Sequence, residues 1–129
     1  MRRSPFLIEL SRDHHAALSL ANRIAKAEDE CALAALTKDV PDIFRREIEP
    51  HFRREEEGFL VQLAATAEES LVRRTLEEHR HLRDLVSRLS GGDGSALKSF
   101  GIALHDHVRF EERELFAAAE ATLGRLSFG

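Results

Sequence analysis

Tryptophan and tyrosine are absent from this 129-residue chain, cysteine occurs once, and proline and glycine number only three and seven. Each shortage closes off a class of chemistry. A lone Cys31 has no partner for an internal disulfide and cannot build a thiolate cluster for zinc or iron–sulfur binding, so any metal must be held by histidine and carboxylate. Without tyrosine no tyrosyl radical can form. No apolar run approaches the ~20 residues that span a bilayer. The stretch after Met1-Arg2-Arg3-Ser4-Pro5 is broken by Glu9, Arg12 and Asp13, which fails the pattern of a signal peptide. Charge of one sign is also lacking in excess: 23 acidic against 19 basic residues leave a net charge of -4. No basic face is therefore expected to draw the chain onto phosphate backbones or anionic lipid. These exclusions predict a cytoplasmic protein with neither a nucleic-acid nor a membrane partner.

What is present is a helical pattern. Hydrophobic residues make up 43% and charged residues 33% of the chain, enough for one domain, over residues 1–129, with its own core. Four segments carry apolar residues at helical spacing. The first starts at Ser4-Pro5 or at Ser11 and runs to about Ala27, with Leu7, Leu10, Ala17, Leu18, Ala21, Ile24 and Ala25 on one side. The alanine-rich stretch from Glu28 to Asp39 is ambiguous and reads as a turn leading into the second helix. That helix, from about Pro41 to Ala65, carries Phe44, Ile48, Phe52 and Phe59, with a kink expected at Pro50. Thr66-Ala67-Glu68-Glu69 has capping-box spacing and should open a third helix with Val72, Leu76, Leu82, Val86 and Leu89 inward. Gly91-Gly92-Asp93-Gly94-Ser95 ends it, and a fourth helix from about Ala96 to Leu123 presents Leu97, Phe100, Leu104, Val108 and Leu115. The predicted class is all-α, an antiparallel up-down four-helix bundle.

Seven histidines are the feature to explain. Placed at about 100° per residue, His14, His51, His79 and His107 each fall within the apolar stripe of a different helix, whereas His15, His81 and His105 fall on flanks or outward faces. A stripe covering roughly 40% of each helix would catch all four by chance only about a few per cent of the time. Glu55 and Glu111 follow His51 and His107 at i+4, on the same face one turn along. Burying two carboxylates in an apolar bundle costs several kcal/mol each unless cations or donors compensate. Imidazole and carboxylate donors without thiolate suit iron, manganese or zinc, and two carboxylates able to bridge favour a pair of divalent ions. The chain also repeats internally. His51-Phe52-Arg53-Arg54-Glu55-Glu56 matches His107-Val108-Arg109-Phe110-Glu111-Glu112 at His, Arg, Glu and Glu, and Asp13-His14 echoes Glu78-His79. Two helical hairpins related by a pseudo-twofold axis would each supply two histidines and one glutamate. The histidines lack an E-x-x-H pattern, which argues against a ferritin-like or ribonucleotide-reductase-like site.

These stretches, together with Leu10-Ser11-Arg12-Asp13-His14-His15, Glu78-His79-Arg80-His81-Leu82 and Arg113-Glu114-Leu115-Phe116, resemble the hemerythrin-like, or HHE cation-binding, domain family over nearly the whole chain. The resemblance implies an up-down four-helix bundle around a non-haem di-iron site. It implies His14 and His51 as ligands of one iron, His79 and His107 as ligands of the other, and Glu55 and Glu111 as bridging carboxylates. Helical phase selects His14 over its neighbour His15. Where oxygen-carrying hemerythrins place a further histidine, i+4 from His79, this chain has Arg83, which stays protonated and cannot ligate. That departure sets the chain apart from reversible oxygen carriers.

Glu56, Glu57, Glu112 and Glu114 are expected to be solvated or to support the ligands, with Arg53 and Arg109 as their pairing partners. The function implied is a metal-binding protein that binds, senses or reacts with oxygen, nitric oxide or iron itself. Two other classes fit the same residues. One is a di-iron enzyme acting on peroxide or nitric oxide, with Arg83 holding an anionic intermediate. The other is a metal-poor or zinc-bound helical interaction module. Signalling would pass through a protein partner or a second copy of the chain.

Overall fold

The structure, a computed structural model, describes residues 4–123. Met1, Arg2 and Arg3, part of the signal-peptide reading, lie outside the described residues, as does the stretch 124–129. The described residues form four helical rods with no strand among them. The first rod is α1 (Pro5–Lys26), and it uses the earlier of the two starts open in the sequence. Ser4 Oγ accepts from the Leu7 N–H at 3.5 Å, and Pro5 sits in the first turn, where a missing N–H costs nothing.

The second rod begins earlier than Pro41. Asp29 accepts the Ala32 N–H at 2.8 Å and opens α2 (Glu30–Ile43), so the ambiguous alanine-rich stretch is helix. It continues through a π-helical turn (Phe44–Ile48) into α3 (Glu49–Glu57) and, past Gly58, α4 (Phe59–Leu63). The disruption expected at Pro50 appears one turn upstream. The Glu49 N–H donates to the Phe44 carbonyl five residues back, and Pro50 then stands in the first turn of α3, where no N–H is needed.

The third rod, α5 (Glu69–Ser90), is not opened by the capping box. Thr66 turns its hydroxyl to the Leu63 carbonyl at 2.6 Å and accepts from the Glu68 N–H, closing the end of α4 instead. The fourth rod comprises α6 (Ala96–Phe110), a second π-helical turn (Glu111–Leu115) and α7 (Phe116–Leu123). Leu76 and Ala25, assigned inward, are exposed; Thr75 and Ile24 occupy the buried phase beside them.

Rods joined by short loops pack as an antiparallel bundle, with α1 and α5 both against α6, and α2 against α5. Gly101 lets α1 approach α6 closely, since a Cβ there would lie 2.8 Å from Ile24 Cγ2. The core is divided in two. One apolar cluster runs from Ala17, Ile24, Val40, Phe44, Ile48 and Phe52 to Leu82, Phe100 and Leu104. The other gathers Leu7, Leu10, Phe59, Leu63, Val72, Leu115 and Phe116. Where the two clusters meet along each rod lies a layer of buried polar side chains: His14, His51, Glu55, His79, His107 and Glu111.

Candidate metal centre

The six residues singled out in the sequence come together in that layer, each at most 4% exposed. His51 and Glu55 project from α3, and His107 lies in the last turn of α6 with Glu111 opening the π-helical turn after it. His14 comes from α1 and His79 from α5. Each imidazole turns Nε2 inward. His14 Nε2 lies 2.8 Å and His51 Nε2 3.7 Å from Glu111 Oε1, while Glu55 Oε2 lies 3.2 Å from His51. On the other side His79 Nε2 is 3.1 Å from Glu55 Oε1 and 3.8 Å from Glu111 Oε2, which lies 3.1 Å from His107 Nε2. Two donor groups result, each with two imidazole nitrogens and one oxygen from each glutamate: His14, His51, Glu55 and Glu111, and Glu55, His79, His107 and Glu111.

The donor set fits metal. Ligand atoms about 2.1 Å from one ion, set at 90–110°, are about 3.0–3.4 Å apart, close to the approaches seen here. Meanwhile His51, His79 and His107 Nε2, both Glu55 oxygens and Glu111 Oε2 are buried without a hydrogen-bond partner. Orphaned polar atoms in a protein interior are few, and six converging on one spot call for a shared partner that a cation supplies. His15, His81 and His105 stand apart, all exposed.

The outward nitrogens are held as well. His14 Nδ1 lies 2.6 Å from Glu112, His51 Nδ1 3.0 Å from Asp13, His79 Nδ1 2.6 Å from Glu56 and His107 Nδ1 2.7 Å from Glu78. The pattern is a closed ring. The first rod's carboxylate holds the second rod's histidine, the second the third's, the third the fourth's, and the fourth the first's. An Nδ1–H donated to a carboxylate leaves Nε2 as the free donor atom and fixes the ring's orientation. Sequence reasoning gave this supporting role to Glu56 and Glu112 but missed Asp13 and Glu78. Each serves a histidine on the next rod, so its place in the sequence offered no signal.

The arginines expected to pair with these acids are not those that do. Arg54 pairs with Asp13, Arg74 Nε donates to Glu78 at 2.9 Å, and Arg83 donates to Glu49 and Glu56. Arg53 and Arg109 make no such pair among the described residues, being exposed on outer faces. Arg83, considered above as a holder of an anionic intermediate, has its guanidinium committed to two glutamates.

The electrostatics of the metal-free chain follow from these contacts. Burial disfavours a charged His51, but the carboxylates of Glu111 and Glu55 outweigh it and raise its pKa to about 11. His79 is likewise raised to about 10 by Glu111, Glu55 and Glu56 against its burial, and His107 to about 9 by Glu111 and Glu78. Burial would raise Glu111, yet His107, His14 and His51 hold it well below the usual carboxylate range. Glu56, also opposed by burial, is lowered to about 2 by His79 and Arg83.

Among the described residues no helix is long and apolar enough to cross a membrane. No curated protein and no solved structure matches the chain. The model of the hemerythrin HHE cation-binding domain matches residues 7–119, a span that takes in the six converging side chains and the four acids holding them. With that span, the helical bundle and the buried histidine–glutamate layer in agreement, the chain belongs to the hemerythrin HHE cation-binding domain family.

Proposed function

We propose that the protein, acting as one cytoplasmic domain over residues 1–129, holds a pair of iron ions and uses the ferrous pair to sense or react with oxygen or nitric oxide. His14 and His51 would hold one ion, His79 and His107 the other, with Glu55 and Glu111 shared between them. The observation carrying this reading is the convergence of four imidazole nitrogens and two carboxylates, six of whose atoms are buried without a hydrogen-bond partner. Iron in such a setting supplies one-electron chemistry toward small oxygen and nitrogen species.

The chain's own residues do the rest. Asp13, Glu56, Glu78 and Glu112 orient the imidazoles and strengthen them as donors. Phe52, stacked on His79 at 3.8 Å, and Phe116, stacked on His14 at 5.4 Å, exclude water from two flanks. A cavity of about 10 Å³ lies beside His14, His51 and His107, walled by Ala17, Ile48, Phe52, Leu104 and Val108. That is room for about one water-sized molecule, which suits a small ligand such as a diatomic. Arg83 replaces the additional histidine of the carriers, so the reading favours sensing or slow oxidation over reversible carriage.

The test is anaerobic reconstitution with ferrous iron, followed by mixing with oxygen or nitric oxide. Two ions per chain and a visible charge-transfer band that persists after degassing are expected. Iron no higher than in His107→Ala would overturn the metal reading, and full spectral return over repeated cycles would indicate a carrier. A lack of response to either gas would refute the sensing function while leaving the metal site standing.

A further inference from the structure

Arg83 stands one turn beyond His79 on α5, and its side chain is only 33% exposed. Its Nε donates to Glu49 at 2.6 Å, and Nη1 and Nη2 donate to the two Glu56 oxygens at 2.9 and 3.2 Å. The same Glu56 holds His79 Nδ1 at 2.6 Å. A second route leads to the same imidazole. The guanidinium carbon lies 5.5 Å from the centre of the Phe52 ring, and that ring stacks on His79 at 3.8 Å with 10° between planes. Arg83 therefore bears on His79 both at Nδ1, through a forked charge-assisted pair, and at the ring face, through Phe52.

We propose that Arg83 is a positioning residue for metal binding: it locks Glu56 on His79 Nδ1 and Phe52 on the ring face, fixing the direction in which His79 Nε2 offers its lone pair. The proposal rests on the metal reading above. An additional ligand at this position would have joined the ion; Arg83 instead acts one residue removed, so the His79 and His107 group depends on it while the His14 and His51 group does not. A guanidinium is needed, because its planar fork meets two carboxylates at once, as Nε does with Glu49 and the terminal nitrogens do with Glu56. Lysine would keep the charge and lose the fork.

Cobalt(II) is a suitable probe, since hyperfine-shifted proton resonances report each ligated imidazole's Nδ1–H separately. Arg83→Gln should shift one such resonance and speed its exchange with solvent, leaving the others at their wild-type positions. Cobalt affinity at one of the two positions should fall about tenfold, the lower end of what removing an outer support costs. Arg83→Lys should recover part of both effects. Glu49→Gln removes Arg83's other anchor without touching His79, so it should move the same resonance by less; these two variants carry the test if Arg83→Gln fails to fold. Unchanged resonances and affinities in all three variants, even with a lower melting temperature, would make Arg83 a packing residue and overturn the proposal. A wild-type chain that takes up no cobalt would overturn the metal reading and this proposal with it.

Discussion

Glu111 is the side chain on which both donor groups depend, and replacing it by glutamine tests the site without opening a cavity. Its oxygens face all four inward imidazole nitrogens, at 2.8 and 3.7 Å for His14 and His51 and at 3.8 and 3.1 Å for His79 and His107. It is wholly buried. In the metal-free protein near pH 6, Glu111→Gln strips the counter-charge from imidazoliums that remain buried and turns an amide N–H₂ toward an N–H. Breaking a buried ion pair from one side costs about 3–5 kcal/mol, a large share of the 5–15 kcal/mol that holds a typical domain together. Urea unfolding of the metal-free variant measures this directly. Metal content gives an independent reading, because Glu111 belongs to both donor groups and His107 to one. Glu111→Gln should lose both ions, and His107→Ala should keep about half the metal. A stability change under about 0.5 kcal/mol, the range of ordinary surface substitutions, or equal metal loss in the two variants, would refute the shared-carboxylate geometry.

Other outcomes follow from the same contacts. In the metal-free form His51, His79 and His107 are raised from 6.5 to about 11, 10 and 9, so their contribution is full below pH 6.5 and lost as pH climbs toward 9–11. Glu111 is lowered, so its contribution is present above pH 4.5 and lost on acidification. The metal-free melting temperature should thus peak between those values and decline from pH 6.5 to 9; a rise over that interval would contradict the assigned contacts. His81→Ala and His105→Ala, both on exposed positions, should leave metal content unchanged and stability within about 0.5 kcal/mol by denaturant titration. Gly58→Ala places a Cβ 2.6 Å from the Arg54 carbonyl oxygen and 3.2 Å from Phe6 Cζ, and should destabilise by about 1–3 kcal/mol in the same assay. Chelation should lower the melting temperature while leaving far-UV helicity largely intact, since both apolar clusters and the ring of carboxylate–imidazole bonds persist without metal. Collapse of helicity on chelation would show that metal nucleates the fold.

The bundle and its polar layer were legible because the relevant signals are periodic. Histidine at the apolar phase of four separate helices can point only to the axis, and the i+4 glutamates share that phase. What the sequence left open lay in aperiodic contacts. Asp29 as a helix cap in an alanine-rich stretch competes with no strong apolar rhythm, and Thr66 met a capping pattern that its hydroxyl spends on Leu63 instead. The pairing of Arg54 with Asp13 and of Arg83 with Glu49 and Glu56, where Arg53 and Arg109 were expected, depends on which arginine faces a neighbouring rod, whereas Arg74 meets Glu78 one turn along its own helix. Composition gives no hint of that. Asp13 and Glu78 are hidden for the same reason, since each serves a histidine on the next helix rather than its own neighbour in sequence.

The repeat survives in phase more faithfully than in backbone. After Glu55 the buried positions are Phe59, Leu60 and Leu63; after Glu111 they are Leu115, Phe116 and Ala119, the same offsets of four, five and eight. In a regular helix the fifth residue on would sit about 140° from the glutamate, too far round to lie beneath it. One extra residue in a turn sets later positions back by about 100° and returns the fifth and eighth under the glutamate. The second half does this with the π-helical turn from Glu111, the first with the break at Gly58. Phe116 thereby reaches His14, stacking at 6° between planes, and meets Phe59 edge-on at 6.0 Å, so the floor of the polar layer is built from both halves. An irregularity after each buried glutamate thus brings the fifth residue on, Leu60 in one half and Phe116 in the other, beneath the polar layer, where an uninterrupted helix would turn it away. Glycine marks the break in one half, and no residue type marks it in the other, which is why the repeated His and Glu were visible in the sequence and the device that seats them was not.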